Sequence, residues 1–322
     1  MHVRPIARLA ALILAAALSA GPARAEAPPD VVASVKPVHS LVAAVMEGVG
    51  EPHLLVRGAA NPHAFSLKPS DARALEGAEL VFWMGPALET FLERPLTALG
   101  ADARTVALLE APGLNRRPTR AAGAWASGHD HAHGAAEHGI GEQGAAEVAL
   151  GGVDGHAWLD PRNAGAMADA ILAALVEADP ARAERYRANA ARLSARLAEL
   201  DAELERTLAP VRQRPFVVFH DAYHYLEDRY GLNGVGALTV SPDRPPGAAR
   251  LGEIRARIRG LGAACVFAEP QFEPALVDTV VAGTEARRGV LDPEGAALPD
   301  GPELYFSLMR ANARALADCL GG

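Results

Sequence analysis

Cysteine is scarce in this 322-residue chain: there are two, Cys265 and Cys319, both near the C-terminus. So low a count excludes a disulfide-dense small fold. With no Cys or His close to either one in sequence, a thiolate zinc site is disfavoured as well. Long apolar runs are missing beyond the N-terminal end. No stretch of about 18 or more apolar residues follows Leu18, so a membrane-spanning helix is not expected in the body of the chain. Positive charge is in deficit, with 31 Lys and Arg against 39 Asp and Glu and a formal charge of −8. That balance disfavours nucleic acid and anionic membranes as partners and mildly favours cations.

The N-terminus carries Arg4 and Arg8, an apolar run from Leu9 to Leu18, and the small-residue segment Ala23-Arg24-Ala25. This pattern reads as a secretory signal peptide over residues 1–25, cut before Glu26, and not as a membrane span. Its removal takes three arginines and no acid, moving the formal charge from −8 to −11. No cysteine lies at the cleavage point, which argues against a lipid anchor there. In an oxidising exported compartment Cys265 and Cys319 are expected to pair as one disulfide.

What the chain does have is histidine, 11 in all. Four of them, His129, His131, His133 and His138, fall in the segment GHDHAHGAAEHG over residues 128–139. Glycine and alanine bury little area, so such a stretch builds no core, but neutral imidazole is a good ligand for zinc, copper or nickel. The segment reads as an auxiliary loop that binds metal weakly, with Asp130 and Glu137 as further oxygen donors. Its bland alternative is a plain disordered linker. His63, His156 and His220 are far apart in sequence, each in a turn-like context beside an apolar run. A metal-collecting loop and three dispersed histidines point to capture of a transition metal.

Apolar runs alternate with helical patterns along the chain, the mark of parallel α/β architecture. The spacing predicts strands at VVASV from Val31, at HLLV, at ELVFWMG and, later, at PFVVFH, VGALTV, CVFAEP and GVLD. Helices are predicted over 40–49, 70–76, 88–99, 222–230, 248–260, 274–282 and 304–320. Another opens at Asp160-Pro161. A long helix from about 181 to 208 follows, with Leu193, Leu197, Leu200, Leu204 and Leu208 as its apolar stripe. The fold expected is α/β: two lobes with parallel sheets bridged by one long rigid helix, and a metal site in the cleft between them. The lobes are assigned to residues 26–180, including the loop at 128–139, and 210–322, with the bridging helix over 181–209. Ligands of open parallel sheets bind at the carboxyl ends of strands, where His220 falls.

Four segments carry a resemblance. They are Gly58–Glu93 (with NPHAF), Gly155–Pro161 (GHAWLDP), Phe216–Leu232 (with VFHDAY) and Cys265–Asp278 (CVFAEPQFEPALVD). In that order they resemble the zinc-uptake solute-binding proteins of bacterial ABC importers, the ZnuA type, across essentially the whole mature chain. The resemblance implies a periplasmic protein that captures Zn²⁺ and delivers it to an inner-membrane ABC permease, without catalysis. It implies a C-terminal disulfide as well; a monomer is expected, and handoff from a periplasmic metallochaperone stays open as a second partnership. Carried over motif by motif, the zinc ligands would be His63, His156 and His220.

Three imidazoles leave one position of a tetrahedral zinc for a carboxylate or water. Some relatives place Glu before the first histidine, but here Pro62 stands there. Asp292, in VLDPEG, is either the fourth ligand or the cap of a turn before Pro293. Two rival readings stay open at this level. One is a manganese or broad-specificity importer component. The other is a zinc hydrolase, for which His220-Asp-Ala-Tyr-His224 is the one support, by comparison with HExxH. His224 is expected to be solvated or to stand behind the ligands, and His39 on a surface helix position.

Overall fold

The computed structural model describes residues 27–100, 102–120, 152–239, 248–273 and 275–322. The expected signal peptide over 1–25 and the histidine-rich segment over 128–139 lie outside the described residues. In the first half, β1 (Val31–Ala33), β2 (His53–Leu54), β3 (Leu80–Trp83) and β4 (Arg104–Ala107) form a parallel sheet of order β2-β1-β3-β4. In the second, β5 (Phe216–His220), β6 (Gly234–Thr239), β7 (Cys265–Ala268) and β8 (Arg287–Val290) repeat that order as β6-β5-β7-β8. The interior strands are short, apolar and buried throughout, as parallel strands covered on both faces must be. β4 begins with two exposed residues and lies at an edge. It offers no apolar run, which is why sequence periodicity passes over it.

Around the first sheet lie α1 (Lys36–Val45), α2 (Pro69–Glu76), α3 (Glu93–Ala98) and α4 (Pro161–Ala178). α1 begins four residues earlier than the pattern predicts, because Pro37 sits in its first turn, where a missing N–H costs nothing. The helix expected over 88–99 divides into a 3-10 turn at Thr90–Leu92 and α3. α4 opens as read from sequence: the Asp160 side chain accepts the Arg162 amide at 2.8 Å, with Pro161 behind it.

α5 (Ala183–Leu208) is the long helix, 26 residues extended at each end by a 3-10 turn. At about 1.5 Å per residue it spans about 39 Å. All five leucines of its stripe are buried. It packs on α1, α4 and α9 (Leu304–Gly321), so one continuous core runs from the first sheet through α5 into the second. The far side of the second sheet has its own smaller core, under α7 (Ala248–Gly260) and α8 (Ala275–Val281). Cys265 on β7 and Cys319 on α9 form the disulfide. Among the described residues no helix is long and apolar enough to cross a membrane.

The repeated strand order reverses the direction in which strands are added across the sheet between β1 and β3, and again between β5 and β7. Crevices open at such points, beyond the carboxyl ends of the strands.

Candidate metal centre

Each of the three motif histidines is aimed by a local device. His63 sits in the 3-10 turn Pro62–Ala64, whose cap is Asn61: its side-chain oxygen accepts the His63 amide at 2.9 Å. His156 follows Gly155, where a Cβ would stand 2.9 Å from Cβ of Leu88. Only glycine lets the chain pass there. Asp154 Oδ1 then accepts both the His156 amide at 3.0 Å and its Nδ1–H at 2.8 Å. His220 is the last residue of β5, at the reversal point. Its Nδ1 donates to the Glu269 carboxylate at 2.7–2.8 Å, and its amide donates to the same group at 3.2 Å. Glu269 directly follows the neighbouring strand β7.

These carboxylates fix the tautomers of His156 and His220, leaving each Nε2 with a bare lone pair. The two Nε2 atoms lie 3.3 Å apart, and His63 Nε2 lies 3.3 Å from that of His156. Two lone pairs at that separation repel unless a proton or a metal ion sits between them. Ligands at 2.0–2.1 Å from a tetrahedral zinc stand about 3.3 Å from one another. Within the described residues the three histidines are the one group of His, Cys, Asp or Glu whose donor atoms converge in this way. They line a small cavity with Phe272 and Glu294.

The electrostatics of the free site follow from burial and pairing. Burial, and then the neighbouring imidazoles, hold His63 and His156 well below the ordinary histidine value. Burial presses on His220 in the same sense, but the ion pair with Glu269 overrides it and raises the pKa. Burial pushes the Asp154 carboxyl up to about 6, against the lowering pull of the His156 amide.

Other sequence candidates stand elsewhere. The Asp292 carboxylate is engaged by its own loop: Oδ1 accepts the amides of Glu294 and Gly295 and a Gln271 side-chain N–H, and Oδ2 accepts the Ala296 amide at 2.6 Å. It caps the turn and is not in the converging set. His224 opens α6 (His224–Tyr230) while His220 ends a strand, so the pair does not share a helix face as HExxH requires. Asp221 between them is gripped by the Arg120 guanidinium. His39 departs from expectation: it is buried in α1, with Nε2 3.0 Å from the Pro52 carbonyl. His129, His131, His133 and His138 fall outside the described residues.

Sequence reasoning did not single out Asp154, Glu269, Glu294 or Arg120. Glu269 carried a usable signal, since it ends the strand beside that of His220. Asp154 lies two residues before a motif histidine, a spacing that permits the bond seen. Cross-lobe ties also escape sequence. Trp158 Nε1–H donates to the Pro293 carbonyl at 2.9 Å, and Tyr305 O–H donates to the Trp158 carbonyl at 2.7 Å.

Two parallel sheets on one long helix, with donor nitrogens converging between them, define a two-lobed metal-binding solute-binding protein. Comparison with known proteins agrees. Residues 31–319 match the family described as zinc-uptake complex component A, periplasmic. The high-affinity zinc uptake system protein ZnuA of Brucella abortus is 48% identical over 307 residues, covering 90% of this chain and 91% of its own. A crystal structure of ZnuA superimposes with a TM-score of 0.73 at 25% identity, covering 91% of this chain and 99% of its own. The solute-binding protein FpvC of Pseudomonas aeruginosa, solved with Mn²⁺, shares the fold at a TM-score of 0.76 but only 19% identity, covering 91% and 98%. The chain belongs to the ZnuA family of periplasmic zinc-uptake proteins.

Proposed function

We propose that this protein captures Zn²⁺ in the periplasm through His63, His156 and His220 and presents it to an ABC-type permease for import. Zinc is cargo here, and the family is one of transport rather than catalysis. The observation that carries the ligand assignment is the meeting of three Nε2 lone pairs, two of them fixed by Asp154 and Glu269. Three imidazole nitrogens with no carboxylate in the converging set favour zinc over the harder manganese ion. A fold shared with a manganese-bound relative does not by itself select the metal.

Residues 1–25 act as a removable signal peptide. The two lobes span 26–180 and 210–322, with 181–209 as the bridge. The segment 128–139 gathers zinc weakly and passes it to the cleft, alongside a periplasmic metallochaperone. The protein acts as a monomer, in keeping with Val290 being the one large apolar side chain exposed among the described residues.

The test is a competitive titration of the metal-stripped mature protein with zinc and manganese. One tight zinc site per chain, lost in His63→Ala, His156→Ala and His220→Ala, is expected. Weaker sites should disappear when 128–139 is deleted. Manganese preference, or tight zinc binding that survives the three substitutions, would overturn the assignment.

A further inference from the structure

Two side chains in the pocket have a buried oxygen that the three histidines leave unpartnered, Gln271, whose amide N–H is already spent on Asp292, and the acid Glu294. Glu294, in the loop after β8, is only 4% exposed and lines the same cavity as His63, His156 and His220. Its Oε1 is buried with no hydrogen-bond partner. The acids around it are placed differently. Asp292 holds its loop amides, Glu269 holds His220, and Glu89 accepts the Ser34 hydroxyl and the amides of Met84 and Gly85. The nearby cation, Lys36, directs its ammonium to the Ala296 and Leu298 carbonyls and to Asp300.

A buried carboxyl oxygen without a partner is costly, and such an atom calls for an explanation. The one present here faces a cavity of about 10 Å³, room for a single water-sized group. Glu294 falls outside the set of donors lying within 4.8 Å of one another. Its oxygens therefore do not stand at ligand spacing from all three imidazoles. The pocket they share leaves space for one intervening water, and three imidazoles on zinc leave one position for that water.

We propose that Glu294 is a positioning residue for the cargo: its carboxylate accepts a hydrogen bond from the water that completes the coordination of zinc on the three histidines, and its charge offsets that of the ion. This rests on the ligand assignment proposed above. It also gives the loop after β8 a part in retention. Lys36 of the first half grips that loop through the two carbonyls, so a shift between the halves would move Glu294 against the ion.

The experiment compares the mature full-length protein with its Glu294→Gln, Glu294→Ala and His63→Ala variants. Zinc affinity is read by chelator competition, the Co²⁺ form by visible absorption, the zinc coordination number by X-ray absorption, and metal-free stability by thermal unfolding. Glu294→Gln is expected to weaken zinc on the order of 10–100-fold, the size seen when groups orienting a metal's ligands are removed. The Co²⁺ bands should shift while the coordination number stays at four. The metal-free melting temperature should stay the same or rise, because a strained buried acid has been relieved. Unchanged affinity and spectra would overturn the proposal. So would a coordination number that falls with the substitution, which would make Glu294 a direct ligand, or an affinity loss matched by metal-free destabilisation. If His63→Ala retains tight zinc, the ligand assignment fails instead, whatever the Glu294 variants do.

Discussion

Asp154 holds His156 twice, accepting its backbone amide at 3.0 Å and its Nδ1–H at 2.8 Å through the same carboxylate oxygen. The imidazole is thus fixed in tautomer and in rotation before any ion arrives. Asp154→Ala should lower zinc affinity on the order of 10–100-fold, with Asp154→Asn, which can still accept through its amide oxygen, losing less. Chelator competition checks this. Equal losses in the two variants would count against the orienting role.

The pH dependence of binding should be governed by His220. Zinc needs neutral imidazoles. Those of His63 and His156 are already held in that form by burial and their like neighbours. His220 keeps its proton to higher pH because of Glu269. A proton held more tightly in the free protein competes with the metal, so affinity is lost as pH falls through the raised His220 value. The expected fall is about tenfold per pH unit, one proton displaced. Glu269→Gln should move its onset to lower pH. Dissociation constants between pH 5.5 and 8 test this, and a slope of three protons would contradict it.

Much of this was legible in sequence, for reasons that can be located. The interior strands are buried on both faces and so are written as continuous apolar runs. α5 is written as a leucine stripe because one of its faces meets α1, α4 and α9 along its whole length. The three converging histidines are legible through the motifs NPHAF, GHAWLDP and VFHDAY; the Asn61 cap and the clearance of Leu88 by Gly155 emerge only in the fold. β4 and the partners of the ligands were not legible. An edge strand has no apolar face to advertise, and Glu269 meets His220 only because β7 lies beside β5. Asp292 looked like a donor since type and neighbourhood do not reveal which atoms a carboxylate has already bonded.

The disulfide joins β7 to α9 across 54 residues of sequence. Closing such a loop restricts the unfolded chain by about 4 kcal/mol in the chain-entropy description. Cys265→Ser with Cys319→Ser should therefore lower the melting temperature by about 7 °C for a protein of this size. Zinc stoichiometry should remain one tight site, because both sulfurs are spent on the disulfide and neither belongs to the converging set. Thermal unfolding with and without zinc reads both quantities.

Arg120, beside the residues flanking His156, reaches to the second half and donates to both oxygens of Asp221 at 3.0 Å and to Glu227 at 2.6 Å. Burial already pushes the Glu227 carboxyl upward, and Arg120 opposes that push. Arg120→Ala leaves two acids facing each other, at a cost of about 2–3 kcal/mol, below the figure for a fully buried pair because Arg120 is partly exposed. The deficit should shrink as pH falls and Glu227 takes up a proton. Urea unfolding of the metal-free protein at pH 7.5 and pH 5 measures it, and a deficit equal at both would point to lost packing instead.

The three nitrogens are divided two to one between the halves. His63 and His156 hang from loops of the first, and His220 ends a strand of the second. His220→Ala should then keep a weak two-nitrogen site, measurable by titration, and loss as complete as in a double His63→Ala, His156→Ala variant would contradict that. A permease that pries the halves apart meets one bond on one side and two on the other. On the ligand set proposed above the ion would stay with the first half as the halves part, so a count of bonds would set the side from which the cargo is handed on.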